Sequence, residues 1–280
     1  MAQQNIIITG GTQGLGFAYA AEFVKRGHKV LICGRSPASV DAAVARLQPL
    51  ASGGARVAGQ ACDTADLGAV ERLWERGVGE FGRVDVFINN AGFARTGLGF
   101  ADTAPGDIEA MVRANVIGSM NAAQVAIAGM QRQGGGKLYL TLGGGGASGR
   151  VVPGMTAYST TKRAVKYFAD TLLRERQEAR ELGQPDSILI GTISPGVNIT
   201  EGMLREFAQL PAALRSKTIR QLNFIGEHVE TTAPWIVERI LGDSKQGNDI
   251  TWLTSGRMLG RALSMMFSKR DVLSRYGLKA

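Results

Sequence analysis

The feature that most constrains the fold is a regular alternation of short apolar runs with longer segments of helical periodicity. Seven apolar runs are predicted to be strands, and they lie at residues 5–9, 29–33, 56–59, 84–88, 137–142, 188–193 and 249–254. Several of them are apolar on both faces, as strands covered by helices on both sides must be. This order favours right-handed βαβ units and an α/β fold with a doubly wound parallel sheet of about seven strands and helices on both faces.

Length and composition fit one domain of this kind followed by a short basic extension. The 280 residues are 44% hydrophobic and 20% charged, which is typical of a globular protein. We predict a main domain over residues 1–255 and an extension over residues 256–280. Six basic residues against Asp271 alone give the extension +5 of the total net charge of +8. Because the charge is concentrated there, a uniformly basic nucleic-acid surface is not indicated. The basic residues are Arg257, Arg261, Lys269, Arg270, Arg275 and Lys279.

The cysteines and the apolar runs indicate the compartment. Cys33 and Cys62 are too few for a disulfide scaffold and fit a reducing environment. No apolar run reaches the roughly 18 residues that a membrane span needs. The first apolar run leads directly into a glycine turn, and no secretory signal precedes it. We therefore expect a cytoplasmic protein, and we predict no metal site.

The first predicted strand leads into the segment TGGTQGLG, residues 9–16, and then into a helical pattern. Gly10, Gly14 and Gly16 allow a tight turn, close approach of a pyrophosphate and close packing of the helix on the strand. The pyrophosphate would lie at the helix N-terminus, where free N–H groups and the helix dipole favour anions. A plain strand–helix turn is the alternative. The position directly after the first strand of an alternating chain favours nucleotide binding and a Rossmann-type sheet.

The end of the second predicted strand distinguishes between the two nicotinamide dinucleotides. NAD binding usually needs a carboxylate there to hold the ribose hydroxyls. Here the strand ends in CGRS, and no acidic residue follows until Asp41. Arg35 is placed to pair with a 2′-phosphate, which favours NADP(H) over NAD(H). The alternative is a solvated loop arginine.

Five short segments occur together in one order along the chain. They are TGGTQGLG at 9–16, NNAG at 89–92, RANVIG at 113–118, YSTTK at 158–162 and SPG at 194–196. This set resembles the short-chain dehydrogenase/reductase family over roughly residues 5–254. The resemblance implies a Rossmann-type domain that binds a nicotinamide cofactor and transfers hydride to or from a carbonyl or alcohol carbon. It also implies a homodimer or homotetramer.

The same resemblance implies roles for individual residues. The turn residues Gly10, Thr12, Gln13, Gly14, Leu15 and Gly16 would hold the cofactor. Asp63 would meet the adenine amino group, and Asn90 would help to shape the cofactor cleft. Val197 and Thr200 would hold the nicotinamide carboxamide. Asn115 would anchor a water molecule in a proton relay.

Tyr158 and Lys162 are spaced to share one face of a helix. Free tyrosine has a pKa of roughly 10 and exchanges protons poorly near neutral pH. A lysine ammonium one turn away stabilises tyrosinate, so we expect it to lower the pKa of Tyr158. Lys162 can also hydrogen-bond the nicotinamide ribose. The pair therefore indicates a general acid/base and a cofactor-orienting residue; the alternative is a solvated helix face.

The sequence departs from the family at the position of a substrate-orienting serine. Most members place that serine thirteen residues before the tyrosine, and counting back from Tyr158 reaches Gly145. Three explanations compete. Ser148 reaches the substrate carbonyl from a flexible glycine loop, or backbone N–H groups of the loop polarise the carbonyl oxygen instead. In the third, catalysis has been lost and NADPH binding kept.

The departure also points to a subgroup. The segments LGGGGASGRVVPGMTAYSTTKRAV, SPGVNITEGML, TTAPWIVERIL and ITWLTSGRMLGR look similar to chlorophyll b reductase-like members of the family. The similarity covers mainly residues 140–275. It implies a bulky, apolar carbonyl substrate.

The extension carries an amphipathic helical pattern. Its apolar residues fall at helical spacing and are Leu259, Ala262, Leu263, Met266 and Phe267. Basic residues flank this stripe. Such a helix rests on an anionic membrane surface, covers an apolar pocket, or packs on a partner subunit or on the protein's own core.

The leading hypothesis is therefore an NADP-dependent short-chain dehydrogenase/reductase. It would reduce a carbonyl on a bulky hydrophobic small molecule, or oxidise the matching alcohol, with Tyr158 as general acid/base. Residues 1–255 would form the NADP(H)-binding catalytic domain. The second hypothesis is a catalytically silent NADPH-binding regulator, and the third is a protein that contacts a membrane peripherally through the extension.

Overall fold

The computed structural model describes residues 2–147, 149, 151–184, 186–208, 210, 212–267 and 270–278. Within these ranges the main sheet has seven parallel strands, as predicted: β1 Asn5–Ile8, β2 Lys29–Gly34, β3 Val57–Ala61, β4 Val86–Asn89, β5 Gly136–Thr141, β6 Ile188–Ser194 and β9 Asp249–Thr251. Their order in the sheet is β3-β2-β1-β4-β5-β6-β9. The strand order reverses between β1 and β4. In doubly wound sheets ligands bind at this reversal, beyond the carboxyl ends of the strands.

Helices cover both faces of the sheet. They are α1 Gly14–Lys25, α2 Pro37–Leu47, α3 Leu67–Phe81, α4 Pro105–Val112, α5 Gly118–Gln133, α6 Thr156–Glu181, α7 Glu201–Ala208, α8 Ala212–Ile225, α9 Val229–Gly242 and α10 Ser255–Phe267. Local chemistry sets several boundaries. Ser36 caps α2 by accepting a hydrogen bond from the Ser39 N–H, and Pro37 occupies the first helical position. Gly134 ends α5 in the left-handed conformation that glycine tolerates.

The core consists of two apolar layers, one on each side of the sheet. Strand β1 shows why its apolar run is continuous: Ile6 and Ile8 face one layer, Ile7 faces the other, and all three are fully buried. Helices α1 and α9 pack on the side of Ile6, whereas α3 and α5 pack on the side of Ile7. The alternating side chains of a strand thus supply both layers.

A second, smaller substructure was not expected from the sequence. Strands β7 Val197–Ile199 and β8 Gly226–His228 form a separate parallel pair after the SPG segment. A third apolar cluster packs around it and includes Phe207 of α7, Ile219 and Leu222 of α8, and Val272 and Leu273 of the extension. The end of the extension therefore returns to the body of the protein.

Helix α10 confirms the predicted helical pattern in the extension, but its apolar face is not covered. Leu259, Leu263, Met266 and Phe267 are 63%, 52%, 74% and 88% exposed. Among the described residues, no helix is both long enough and apolar enough to cross a membrane.

Candidate active site

The glycine turn after β1 is shaped by contacts that exclude side chains. Gly10 and Gly14 have positive φ angles of 66° and 56°. A Cβ at Gly10 would lie 2.8 Å from the Ala91 Cα, and a Cβ at Gly16 would lie 2.3 Å from the Gly10 carbonyl oxygen. Glycine is therefore required at these positions, and the exposed backbone of the turn is accessible to a ligand.

The turn ends at the N-terminus of α1, at the sheet reversal. Gln13 precedes the helix in extended conformation and makes no side-chain cap. The first N–H groups of α1 therefore stay available, and with the helix dipole they favour an anion. Thr12 lies against β2, because a Cβ at Gly34 would be 2.6 Å from its methyl carbon. Leu15 is partly buried and packs against the core layer of α1.

Asn90 holds the turn in place from the end of β4. Its side-chain amide donates to the carbonyl oxygens of Thr9 and Gly10 at 3.0 and 3.3 Å. In return, the Thr9 hydroxyl accepts from the backbone N–H groups of Asn90 and Ala91, both at 2.9 Å. The asparagine therefore fixes the position of the glycine turn relative to β4.

Arg35 and Asp63 follow the carboxyl ends of the neighbouring strands β2 and β3, and both are exposed. Asp63 accepts a hydrogen bond from the Ala65 N–H at 3.0 Å, which orients its carboxylate. Behind them, Cys33 and Cys62 are buried free thiols. The two charged side chains lie on the side of the cleft beyond the glycine turn.

Val197 and Thr200 lie on the opposite side of the glycine turn. Val197 is in β7, and Thr200 begins α7 by accepting a hydrogen bond from the Met203 N–H at 3.3 Å. A Cβ at Gly14 would lie 3.3 Å from the Thr200 methyl carbon. Helix α7 reaches the turn a second time, because Arg205 donates to the Gln13 side-chain oxygen at 3.2 Å.

Lys162 is buried one helical turn beyond Tyr158 on α6. Only 4% of its surface is exposed, and its ammonium donates to the Thr141 carbonyl oxygen at 3.1 Å. Burial lowers the pKa of Lys162 to about 8, because the charged form loses its hydration. The alternative of a solvated helix face is therefore wrong for Lys162, whose ammonium lies inside the protein at the end of β5.

The expectation that the pKa of Tyr158 is lowered is wrong. Burial raises the pKa of Tyr158 to about 12, and the negative charge of the Glu206 carboxylate acts in the same direction. The Lys162 ammonium bonds the Thr141 carbonyl oxygen and does not offset these two effects. The phenol is therefore held in its protonated form.

Asn115 lies in a short π-helical turn, Arg113–Ile117, between α4 and α5. Such turns are often found at functional sites. Its side chain is fully buried; it accepts from the Phe93 N–H and donates to the Phe93 carbonyl oxygen, both at 2.8 Å. It also donates to the Thr161 hydroxyl at 2.9 Å. Since Thr161 precedes Lys162, these bonds join the π turn to the helix that carries the Tyr–Lys pair.

Gly143 faces the tyrosine hydroxyl and lies two residues before the position that the serine count reached. A Cβ at Gly143 would lie 2.1 Å from the Tyr158 hydroxyl oxygen and 3.1 Å from the Lys162 Cγ. Gly145 lies two residues further on and has a φ of 80°, which most side chains avoid. Counting thirteen residues back from Tyr158 does not reach Gly143, because the count assumes the loop length that is usual in the family. Ser148 lies outside the described residues.

Two site residues were missed by the sequence analysis. Glu206 of α7 is near enough to the Tyr158 phenol for its charge to act there, and it accepts a hydrogen bond from the Thr96 hydroxyl at 2.8 Å. Both lie in segments without a recognisable motif. Only the fold brings them beside the Tyr–Lys pair.

The basic residues around α10 are engaged with the body of the protein. Arg261 and Arg270 both donate to the same Glu227 carboxylate oxygen, at 2.7 and 2.8 Å. Arg257 lies over the Trp252 ring, 3.7 Å from its centroid. The expected basic flanks of the apolar stripe therefore fasten α10 to β8 and β9.

Comparison with known proteins agrees with this geometry. The family model described as short chain dehydrogenase matches residues 4–209. A probable chloroplastic chlorophyll(ide) b reductase, NYC1, of Oryza sativa subsp. japonica is 30% identical over 270 residues, which are 91% of this chain and 51% of that protein. The chain thus spans about half the length of the NYC1 relatives. A 3alpha-hydroxysteroid dehydrogenase of Mediterraneibacter gnavus is 32% identical, with 74% of this chain and 77% of that protein covered.

Solved structures show the same fold. Levodione reductase superposes with a TM-score of 0.75 at 22% identity, covering 92% of this chain and 99% of that one. A short chain dehydrogenase from Burkholderia cenocepacia in complex with NADP superposes with a TM-score of 0.69 at 26% identity, covering 89% and 95%. The match to the family model, the Rossmann-type sheet and the Tyr–Lys site together identify the chain as a member of the short-chain dehydrogenase/reductase family of oxidoreductases.

Proposed function

We propose that the protein is an NADPH-dependent reductase of carbonyl groups on bulky hydrophobic small molecules, with Tyr158 as general acid. The observation that carries this proposal is the convergence of Tyr158, buried Lys162 and buried Asn115 at the end of β5, beside the glycine turn. The reverse reaction, oxidation of the matching alcohol, would use the same residues.

The residues of the cleft fit a nicotinamide dinucleotide. A pyrophosphate needs an uncrowded turn and free N–H groups, and the contacts at Gly10 and Gly16 and the uncapped start of α1 provide both. We propose that Asp63 holds the adenine side and that Val197 and Thr200 hold the carboxamide side. Exposed Arg35 supports the choice of NADP(H), because a guanidinium pairs well with a 2′-phosphate. When bound, the reduced cofactor supplies the hydride.

Tyr158 is suited to donate a proton in the reductive direction. With a pKa of about 12, the phenol stays protonated at neutral pH and can give its proton to the oxygen of a carbonyl that is being reduced. Lys162 has a pKa of about 8, so its amine takes up or releases a proton near physiological pH. We propose that Lys162 orients the nicotinamide ribose and that Asn115 anchors the water through which Tyr158 is reprotonated.

The glycine loop replaces the usual serine in this proposal. Gly143 leaves the Tyr158 hydroxyl uncovered by any side chain at that position, so a carbonyl oxygen can approach the phenol closely. We propose that backbone N–H groups of the loop donate to that oxygen. The predicted role of Ser148 stays a prediction, because that residue is outside the described ranges.

The similarity to chlorophyll(ide) b reductases and to a hydroxysteroid dehydrogenase supports a large apolar substrate. The exposed apolar face of α10 fits contact with such a molecule or with the membrane that holds it. Because Arg261 and Arg270 are paired with Glu227, membrane contact would depend mainly on apolar side chains. Membrane contact and a homodimeric or homotetrameric state stay predictions.

The test is turnover by the purified protein. Lipophilic aldehydes and ketones, including a chlorophyll b derivative and an oxosteroid, are mixed with NADPH or NADH, and loss of the reduced cofactor is followed by absorbance. We expect oxidation of NADPH with at least one substrate. Tight NADPH binding without turnover of any of these substrates would favour the second candidate, a catalytically silent NADPH-binding regulator. The observation that supports this candidate is the absence of the usual serine at the position of Gly145.

A further inference from the structure

The proposed reaction assigns no role to the carboxylate of Glu206. Glu206 lies on α7 Glu201–Ala208, next to Arg205, which contacts Gln13 of the glycine turn. The Thr96 hydroxyl donates to it at 2.8 Å, and the Thr96 backbone N–H also stabilises it. Thr96 lies in the chain that follows the NNAG segment, so this hydrogen bond joins Glu206 to that part of the chain, and the charge of Glu206 acts on the Tyr158 phenol.

Glu206 is held as a hydrogen-bond acceptor, and its charge acts on the phenol of Tyr158. A carboxylate offers about four lone-pair positions, and Thr96 supplies two donors, which leaves acceptor capacity for a further partner. Burial raises the pKa of Glu206. The hydrogen bonds from Thr96 and the positive charge of Arg95 act in the opposite direction. The carboxylate is therefore partly desolvated but supported at the place where a substrate would meet Tyr158.

The surrounding charges leave this position negative. Arg95 donates to Asp107 at 3.0 Å, so its positive charge is shared between Asp107 and Glu206. Among the described residues, Arg95 and Asp107 act on Glu206 in opposite directions, so the guanidinium is only partly available to offset the charge of Glu206. In a partly buried site such an imbalance acts strongly on the charge of a bound molecule, because water screens it less than at the surface.

We propose that Glu206 sets substrate specificity: it selects carbonyl compounds that carry a positively charged or hydrogen-bond-donating group close to the reactive carbonyl and rejects those with an anionic group there. The inference rests on the proposed function, since it takes Tyr158 as the residue that the carbonyl meets. It adds the charge preference of the substrate, which neither the family motifs nor the relatives' names supply.

Three aryl ketones of similar size separate this proposal from general binding effects. β-Dimethylaminopropiophenone carries a cation two carbons from the carbonyl, β-benzoylpropionate carries an anion, and the methyl ester of the latter is neutral. Each is compared as a substrate by kcat/KM and as a ligand of the enzyme–NADPH complex by titration. The comparison of affinities does not depend on turnover.

For the unsubstituted sequence we expect the cation to be favoured over the anion by at least about tenfold, with the ester between them. Glu206→Gln should reduce that ratio by at least about tenfold and leave the values for the ester within about threefold. Glu206→Asp should keep the direction of the preference. Glu201→Gln, on the same helix but exposed, is the matched control and should change none of the ratios.

An unchanged cation-to-anion ratio in Glu206→Gln, with the NADPH affinity and thermal midpoint of the unsubstituted protein, would overturn the proposal. An equal loss for all three ketones would also overturn it, because that result indicates a structural role. Failure of the proposed function would give a different result, because turnover would persist in Tyr158→Phe. The cation-to-anion ratio of affinities could still be measured by titration and compared between Glu206→Gln and the unsubstituted protein.

Discussion

Gly143 lies so close to Tyr158 that a Cβ at position 143 would stand 2.1 Å from the phenol oxygen. Any side chain at this position must displace the tyrosine. We therefore expect Gly143→Ala to lower kcat for carbonyl reduction by about 100-fold or more, since misplacing a catalytic group by about 1 Å has an effect of that size. NADPH affinity should change little, and both quantities can be measured on the same preparation.

Gly144→Ala is the matched control for this prediction. A Cβ there would meet the end of the Met155 side chain, with the terminal methyl carbon at 2.8 Å and the sulfur at 3.6 Å, and that flexible end can move. Its activity should stay within a few-fold of the unsubstituted protein. Equal activity in the Gly143 and Gly144 variants would show that the phenol need not hold the position described.

Arg35 is expected to distinguish NADPH from NADH. Arg35→Ala removes one charge-assisted hydrogen bond, worth about 1.5–3 kcal/mol, so the Kd for NADPH should rise about 10- to 100-fold. The Kd for NADH should stay unchanged, as should both values in Arg132→Ala, which alters an exposed arginine at the far end of α5. Fluorescence titration with the two cofactors measures this, and an equal loss of both affinities would refute the assignment.

The buried ammonium of Lys162 should make stability depend on pH. Its pKa is about 8 in the folded protein against 10.5 for the free side chain, so the unfolded chain binds more protons between these values. Burial of the charged lysine therefore lowers the free energy of unfolding below pH 8. This loss of stability disappears as the pH rises toward 10.5. At pH 7, Lys162→Met should increase the free energy of unfolding by about 3 kcal/mol.

Urea denaturation between pH 7 and 10 measures the difference between Lys162→Met and the unsubstituted protein. This difference should shrink toward zero with rising pH. Lys217→Met, at an exposed position of α8, should show a small difference that does not depend on pH. A pH-independent gain in Lys162→Met would mean that the amine is not held with a lowered pKa.

Glu227 is expected to hold the extension against the body. One of its carboxylate oxygens accepts from Arg261 and Arg270, and all three side chains are largely buried. Glu227→Gln leaves two buried guanidinium groups without a counter-charge, so we expect a loss of about 2–3 kcal/mol in the free energy of unfolding. Hydrogen exchange should increase in α10.

Glu230→Gln is the control for Glu227, because its ion pair with Arg275 is exposed and should contribute at most about 1 kcal/mol. If both substitutions had the same small effect, α10 would be fastened by its tryptophan contacts instead of by Glu227.

The sheet and the cofactor cleft follow from local patterns in the sequence. The apolar runs predicted every strand of the main sheet, because strands buried on both faces need continuous apolar sequence. The glycines of the turn were readable for a similar reason: Gly10 and Gly14 adopt positive φ angles, which other residues rarely do.

The rest of the site depends on contacts between distant segments. Glu206 meets Thr96 across 110 positions of sequence, and no periodicity signals such a pair. The serine count reached Gly145 because it assumed a fixed loop length, whereas the chain sets Gly143 against the phenol. The pKa of Tyr158 could not be predicted from Lys162 alone, since burial and the Glu206 charge decide its direction.

The central claim is that Tyr158 donates the proton in an NADPH-dependent carbonyl reduction. The most direct measurement is kcat for NADPH oxidation with the best lipophilic carbonyl substrate, in Tyr158→Phe and in Tyr167→Phe. Tyr167 lies on the same helix and is 75% exposed. Loss of a general acid should lower kcat by about 100- to 10,000-fold in Tyr158→Phe and leave it unchanged in Tyr167→Phe. Full activity in Tyr158→Phe, or no NADPH oxidation by the unsubstituted protein with any carbonyl, would contradict the claim.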